Sequence, residues 1–328
     1  MTSEQLVRRP LGVRTGLDVT DMGIGLWAVP GSEWGPADDR ETLEAIEAAL
    51  DHGVNFFDTA DVYGGGHSEE LLGRAMRDRR DRFVVATKIG WTGFDREAGK
   101  SQYDSVDALI AGVHDSLARM QTDHVEVIQC HINVLEPNTP VFIDGFRRLK
   151  DEGTVKAWGV STSHMDLLQT FNAEGDCDVL QTDYSILNRT AEREILPYCQ
   201  DNGIGVIVRG PLAMGLLADK YSESDSFPEG DFRRAWVEDP AQHDQFRRDL
   251  ATVAGLRDIL AEQETMTQFA LRFVRSHPAV TTVIPGARNR GQAEANARAG
   301  FQPTLTADER AAVDRLVPPG GGRQIWPA

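Results

Sequence analysis

Cysteine, lysine and long apolar runs are all scarce in this chain, and each scarcity excludes something. The three cysteines, Cys130, Cys177 and Cys199, are an odd number without metal-type spacing. They rule out a disulfide framework, give no zinc motif, and fit a reducing cytoplasm. No stretch of about 18 apolar residues exists to cross a bilayer. The opening Met1-Thr-Ser-Glu-Gln-Leu-Val-Arg-Arg-Pro10 has no apolar signal core, so a soluble, unexported, cytoplasmic protein is expected. Positive charge is outnumbered, with 34 Lys and Arg against 51 Asp and Glu, a net charge of -17. Without a basic stripe to neutralise phosphates, a nucleic-acid partner is not expected. Five of the basic residues are lysine, Lys88, Lys100, Lys150, Lys156 and Lys220, leaving 29 arginines.

What the chain does have is a rhythm. Short apolar runs bounded by turn residues alternate with amphipathic segments of helical length, the pattern of repeated βα units. Eight strands are expected, at Gly23–Trp27, Val54–Asp58, Phe83–Lys88, Val125–His131, Val155–Ser161, Val179–Asp183, Gly205–Arg209 and Thr281–Pro285. Residues 41–52 place Leu43, Ile46, Ala49 and Leu50 at helical spacing, and 105–120 line up Val106, Leu109, Ile110, Val113, Leu117 and Met120. The turn-rich stretch after Pro10 predicts a small β-hairpin ahead of the first barrel strand. Residues 218–245 lose apolar periodicity and predict a long loop inside the seventh βα connection, a place where long loops are usually functional. The tail from Pro318, Pro-Pro-Gly-Gly-Gly-Arg-Gln-Ile-Trp-Pro-Ala, has a flexible composition with an isolated Trp326.

Three of the runs end in an ionisable group: Asp58, Lys88 and His131. Tyr63 follows Asp58 by five residues, in a glycine-rich turn. Ionisable side chains closing buried parallel strands mark an active site on the C-terminal rim of a barrel. Reduction of a carbonyl by hydride leaves charge developing on oxygen, so such a site needs a proton donor aimed at that oxygen. Tyr63 fits that need. A nearby Lys88 ammonium would lower its pKa from about 10, Asp58 would hold the lysine, and His131 would orient the carbonyl. Taken singly, Asp58 reads as a turn or cap residue, Lys88 as a snorkelling strand end and His131 as a core histidine; their joint placement is what gives them a function.

The run Phe57-Asp-Thr-Ala-Asp-Val-Tyr-Gly64 followed by Ser68-Glu-Glu-Leu-Leu-Gly73, Ala86-Thr-Lys88 and Gln129-Cys-His131 closely resembles the aldo-keto reductase superfamily. The likeness continues through Gly159-Val-Ser-Thr-Ser163, Leu180-Gln-Thr-Asp-Tyr184, Gly210-Pro-Leu212 and Ile284-Pro-Gly-Ala-Arg288, with Gln292 and Asn296, covering nearly the whole chain. It implies one (β/α)8 TIM-barrel domain over residues 1–328, a nicotinamide cofactor bound without a Rossmann domain, and Tyr63 as proton donor supported by Asp58, Lys88 and His131. By the same resemblance, Gly25, Trp27 and Asp58 line the early side of the cofactor site, and Ser161, Thr162 and Gln181 meet the nicotinamide carboxamide. Gly210, Pro211, Leu212 and Lys220 run along the pyrophosphate, and Gly286, Arg288, Gln292 and Asn296 surround the adenosine end. An arginine at Arg288 suits a 2'-phosphate, so NADPH is expected over NADH.

Three positions depart from the family pattern. Thr162 replaces an asparagine, Ala295 replaces a glutamate that contacts adenine, and Arg209 replaces the aromatic that stacks on the nicotinamide. A planar guanidinium can stack, but its charge is expected to disfavour the oxidised, cationic ring. The expected partner is a small carbonyl compound or alcohol, with self-association possible. Relatives of the potassium-channel β-subunit type supply a second reading, a nucleotide-sensing partner of a membrane protein with little turnover. A barrel catalysing a non-redox isomerisation would leave the cofactor-site matches unexplained. Specificity is assigned to aromatic residues in the loops, Trp27, Trp34, Trp91 and Phe94, lining an apolar pocket for aromatic or medium-chain carbonyls. Trp91→Ala is therefore expected to lose more activity on benzaldehyde-type substrates than on short aliphatic ones; an equal loss on both in a kcat/KM comparison would place Trp91 in the rim's structure instead.

Overall fold

The computed structural model describes residues 5–28, 38–91, 103–132 and 138–325. An antiparallel hairpin comes first, β1 (Arg8–Pro10) and β2 (Asp18–Thr20). Eight parallel strands then follow: β3 (Ile24–Gly25), β4 (Phe56–Asp58), β5 (Val84–Ile89), β6 (Val125–Cys130), β7 (Val155–Ser161), β8 (Val179–Asp183), β9 (Gly205–Arg209) and β10 (Val280–Val283). Each pairs with its neighbours in chain order. Bridges Met22–Val283 and Gly25–Gly286 join β3 to β10 and complete the ring. The strands and the hairpin fall where the apolar runs and the turn residues predict them.

Strands covered on both faces read as continuous apolar runs, and here the two faces form separate cores. Phe56, Ala86, Val127, Ala157, Val179 and Ile207 point into the barrel, where Leu11 and Val19 of the hairpin seal the bottom. The alternate residues, among them Phe57, Val85, Ile128 and Leu180, point outward against the helices. Successive side chains on a strand change face, so a residue two positions further on returns to the same one. Above the apolar layer, the inward positions therefore become Asp58, Lys88, Gln129, Gly159 and Gln181, and one step higher Ser161, Asp183 and Arg209. The barrel's inner face turns from apolar to polar as it approaches the C-terminal rim.

The outer helices are α1 (Asp39–Asp51), α2 (His67–Met76), α3 (Val106–Met120), α4 (Thr139–Asp151), α5 (Met165–Phe171) and α6 (Ile195–Asp201). Around and after β10 come α7 (Ala235–Glu238), α8 (Pro240–Leu256), α9 (Met266–Arg275), α10 (Arg290–Ala299) and α11 (Ala307–Leu316). On α3, Ser105 caps the first turn by accepting from the Ala108 N–H, and Leu109, Ile110, Val113, Leu117 and Met120 are buried as their spacing predicts.

Two expectations need correction. Residues 218–245 are not one irregular loop: a 3-10 turn at Phe232–Arg234 leads into α7, and α8 begins at Pro240 with Asp239 accepting from the Ala241 N–H. Proline is well placed in a first helical turn, and charged residues on the solvent face conceal the apolar stripe of Phe246, Val253 and Leu256. The tail is not loose as far as Ile325. Gly321 accepts from the Arg189 N–H, Gly320 accepts from Arg193 Nε at 2.6 Å, and Asn188 bridges to Gly322. Trp326 lies outside the described residues.

Close approach of β7 and β8 depends on Gly159, where a Cβ would lie 1.8 Å from the Val179 carbonyl oxygen. Gly159→Ala must therefore spread the two strands that carry Ser161 and Gln181, with an expected loss of about 3 kcal/mol or more, at the upper end for overpacking. A urea midpoint equal to wild type would show that this strand pair yields without cost.

Candidate active site

Parallel register decides which side chains meet at the rim. Asp58 is opposite Ala86 on β5, and Lys88 is opposite Gln129 on β6. From there the Lys88 ammonium, fully buried, reaches Asp58 Oδ1 at 2.5 Å, the Thr59 carbonyl at 2.9 Å and the Tyr63 hydroxyl oxygen at 3.1 Å. Its three protons are thereby all engaged. Gln181 Nε2 donates to the other carboxylate oxygen, Asp58 Oδ2, at 2.7 Å and reaches Gln129 Oε1 at 3.5 Å. The ring of His131 stands edge-on to Tyr63 with centroids 5.7 Å apart, and Trp91 lies 5.8 Å from His131. Trp27 lies 6.3 Å from Tyr63 and stacks on Phe232 at 6.1 Å.

Burial is the largest influence on all three charged or ionisable groups. It pushes the Asp58 carboxyl up from its ordinary value, against the pull of Lys88, Gln181 and Gln129. For Lys88, burial pulls the pKa down, but Asp58 and Tyr63 outweigh it and hold the ammonium above its usual range. Tyr63 is raised, because burial exceeds the lowering by Lys88 and Arg209. The sequence leads one to expect a lowered phenol; the desolvated pocket reverses the net direction and leaves Tyr63 protonated.

Helix α2 locks this layer from outside. Ser68 donates to the Leu26 carbonyl at 3.0 Å and is 2.7 Å from the Thr59 hydroxyl, while Glu69 accepts from Thr87 Oγ1 at 2.6 Å and Arg119 Nε at 2.7 Å. The Ser68-Glu69 pair thus ties β3, β4 and β5 together at the level of Lys88.

Residues 21–318 match the model of the aldo/keto reductase family. The chain belongs to the aldo/keto reductase family. It is 33% identical over 293 residues to aldo-keto reductase YhdN of Bacillus subtilis, covering 86% of this chain and 85% of that protein. It is also 31% identical to a probable voltage-gated potassium channel subunit beta of Arabidopsis thaliana, covering 87% and 89%. Among solved structures it resembles the glycerol dehydrogenase AKR11B4 from Gluconobacter oxydans, with 30% identity, 100% and 99% coverage and a TM-score of 0.82. An aldo-keto reductase from Klebsiella pneumoniae in complex with NADPH follows with 26% identity, 98% and 99% coverage and a TM-score of 0.69.

Within this aldo/keto reductase barrel, the other predicted positions sort by place. Gly25 pairs with Asp58 in register and bridges Gly286. Ser161 and Gln181 are cross-strand partners at the mouth. Gln181 is committed through its amide nitrogen to Asp58. The buried Thr162 hydroxyl accepts from the His164 N–H at 3.0 Å, closing a local turn. Arg209 donates to the Ser163 hydroxyl at 3.2 Å, and Gly210, Pro211 and Leu212 follow directly beyond β9. Lys220 is lowered by burial and then by Arg233 and Arg288, which places three cations in one neighbourhood. Gln292 accepts from the Arg288 N–H at 2.8 Å and Asn296 donates to the Gly286 carbonyl at 3.2 Å, so both side chains shape the loop before α10. Trp34 and Phe94 lie outside the described residues.

Sequence reasoning passes over four residues that the structure brings in: Gln129, Phe232, Arg233 and Asp61. Strand alternation alone signals Gln129, two residues before His131. Phe232 and Arg233 belong to the segment read as featureless. Asp61 is buried near Glu69 and Arg119; burial and then Glu69 raise its pKa from 3.8 to about 8, against Arg119 and the Val62 and Gly90 N–H groups. A carboxyl whose folded pKa is raised adds stability that is complete below about 4 and is lost as pH rises through about 8. Accordingly, Asp61→Asn should gain on wild type steadily over that range and level off above it in urea titrations at successive pH values. A pH-independent difference would show that Asp61 is ionised in the folded state.

Proposed function

We propose that this chain is a cytoplasmic, single-domain NADPH-dependent carbonyl reductase, able to run in reverse as an alcohol dehydrogenase, with Tyr63 as the acid. The observation that carries this reading is the buried Lys88 ammonium, bonded at once to Asp58 and to the Tyr63 hydroxyl oxygen. NADPH bound across the rim would supply a hydride to the carbonyl carbon. The residues present fit such a ligand: Lys220, Arg233 and Arg288 concentrate positive charge on a chain of net charge -17, and inward-facing Ser161 and Gln181 offer polar groups beside the acid. Arg288 favours the 2'-phosphate of NADPH over NADH. The NADPH complex of the Klebsiella relative and the dehydrogenase activity in the name of the Gluconobacter relative support the same assignment.

The work of the chain's own groups follows from their contacts. Tyr63 stays protonated until charge develops on the substrate oxygen, and then gives up its proton. Lys88, donating to the phenolic oxygen, stabilises the phenolate that forms, and Asp58 keeps that lysine charged. His131, edge-on to Tyr63, offers a second polar contact to the oxygen. Trp27, Trp91 and Phe232 exclude water around the reacting carbon. Turnover, more than nucleotide sensing, is the use for a complete proton-donating site, so the channel-subunit likeness is secondary here.

Tyr63→Phe keeps the ring packed against Trp27 but removes the proton. NADPH consumption with a panel of aldehydes and ketones is expected to fall by about 100-fold or more in kcat, the usual range for losing a general acid, while NADPH affinity is retained. Full activity in this variant would end the proposed mechanism, and tight NADPH binding without turnover in wild type would favour the sensor.

A further inference from the structure

Arg209 enters the mouth of the barrel beside a second buried charge that the reaction does not use. Asp183 ends β8 and Arg209 ends β9, and the register sets them directly opposite each other. Asp183 is 2% exposed. Its carboxylate accepts from Asn188 Nδ2 at 2.7 Å, and it lies in the field of the Arg209 guanidinium. Burial raises the carboxyl's pKa, and Arg209 leads the groups that oppose this. The neighbouring backbone has made room for it: Gly210 has φ +63°, and a Cβ there would stand 2.4 Å from Asp183 Oδ1. A side chain at 210 and a carboxylate at 183 are mutually exclusive.

A lone guanidinium against a nicotinamide ring would oppose the oxidised form, which is cationic, while leaving the reduced form, which is neutral, little affected. A buried carboxylate on the next strand acts with the opposite sign at the same place. We propose that Asp183 is the counter-charge of Arg209 and sets, by offsetting the guanidinium's field, the relative affinity of the site for oxidised and reduced cofactor. The proposal rests on the reading that a nicotinamide ring lies against Arg209. Asn188, donating at 2.7 Å, favours the ionised carboxylate where water does not reach it. Ser163 accepts from Arg209 at 3.2 Å and fixes the position of the guanidinium at the mouth.

The quantity to measure is the ratio of the dissociation constants for NADP+ and NADPH, by fluorescence titration of the full chain. Asp183→Asn is expected to raise that ratio about fivefold, as a unit charge a few ångströms away does in a partly screened site. Arg209→Met is expected to lower it by a similar factor, and the double variant to return near the wild-type value. Neutralising both charges together avoids stranding either one, so the double variant also serves if Asp183→Asn alone fails to fold: compared with Arg209→Met, it must still show the rise. A role confined to anchoring Asn188 and the tail would shift both constants together and leave the ratio unmoved. An unchanged ratio in both backgrounds, with both nucleotides still bound, overturns this inference and leaves the proposed function intact. Failure of the wild-type chain to bind either nucleotide overturns both.

Discussion

Everything at the rim depends on one ion pair, Lys88 with Asp58, formed between side chains that are almost wholly removed from water. Two charges transferred from water each cost several kcal/mol, and their mutual attraction compensates only when the remaining protons and lone pairs are satisfied. The Thr59 carbonyl, the Tyr63 hydroxyl and Gln181 supply that shell. The requirement reaches far along the chain. Gln181 comes from a strand 123 residues beyond Asp58, so the carboxylate is satisfied only when the ring has closed through β8. A slip of one residue in β4 or β5 would turn Asp58 or Lys88 toward the helices. The catalytic geometry and the strand register are thus the same constraint, and the Ser68 and Glu69 contacts of α2 fix that register from outside.

Charge is distributed with the same economy. The chain carries a large negative excess, yet the mouth and the groove beside it hold Arg209, Lys220, Arg233 and Arg288. Asp231 accepts from Arg233 Nε at 2.9 Å, and Arg233 also faces the rings of Tyr221, Phe227 and Phe232. Arg233 is thus held by one carboxylate and over aromatic faces, while Lys220 lies over the Tyr221 ring in the field of Arg233 and Arg288. On a chain with a large negative excess, such a cluster of cations attracts an anionic ligand toward it.

How much of this was legible in the sequence follows from what kind of signal each part leaves. Strands buried on both faces give unbroken runs of Val, Ile and Phe, so all eight could be placed, and their terminal Asp58, Lys88 and Ser161 could be found with them. Helix α3 is equally plain because it has a clean apolar stripe and a Ser105 cap. The region from 218 to 245 was opaque because its order comes from contacts distant in sequence: Phe232 stacks on Trp27, and Arg233 donates to the Tyr221 hydroxyl, neither of which has a local period. The tail was misread for a related reason. Gly322, which looks flexible in composition, sits where a Cβ would stand 2.2 Å from the Leu187 carbonyl oxygen. Nor does a sequence reveal the direction of a pKa shift such as that of Tyr63, where proximity to Lys88 and removal from water oppose each other and only the packed site shows which is larger.

The inner face of the barrel also explains why departures from the family pattern fall where they do. The layer of Asp58, Lys88, Gln129 and Gln181 is mutually hydrogen-bonded, so exchanging one member leaves another buried group unsatisfied. One step higher the constraints loosen: Arg209 and Thr162 differ from the family's usual residues and meet neighbours that can adjust, Ser163 in one case and a turn N–H in the other. Asp183 extends this upper layer to Asn188, whose side-chain amide donates to it and whose backbone bridges to Gly322 of the tail. The proton-donating layer is fixed by what it buries, and the layer above it is where a charge can change without unmaking the barrel.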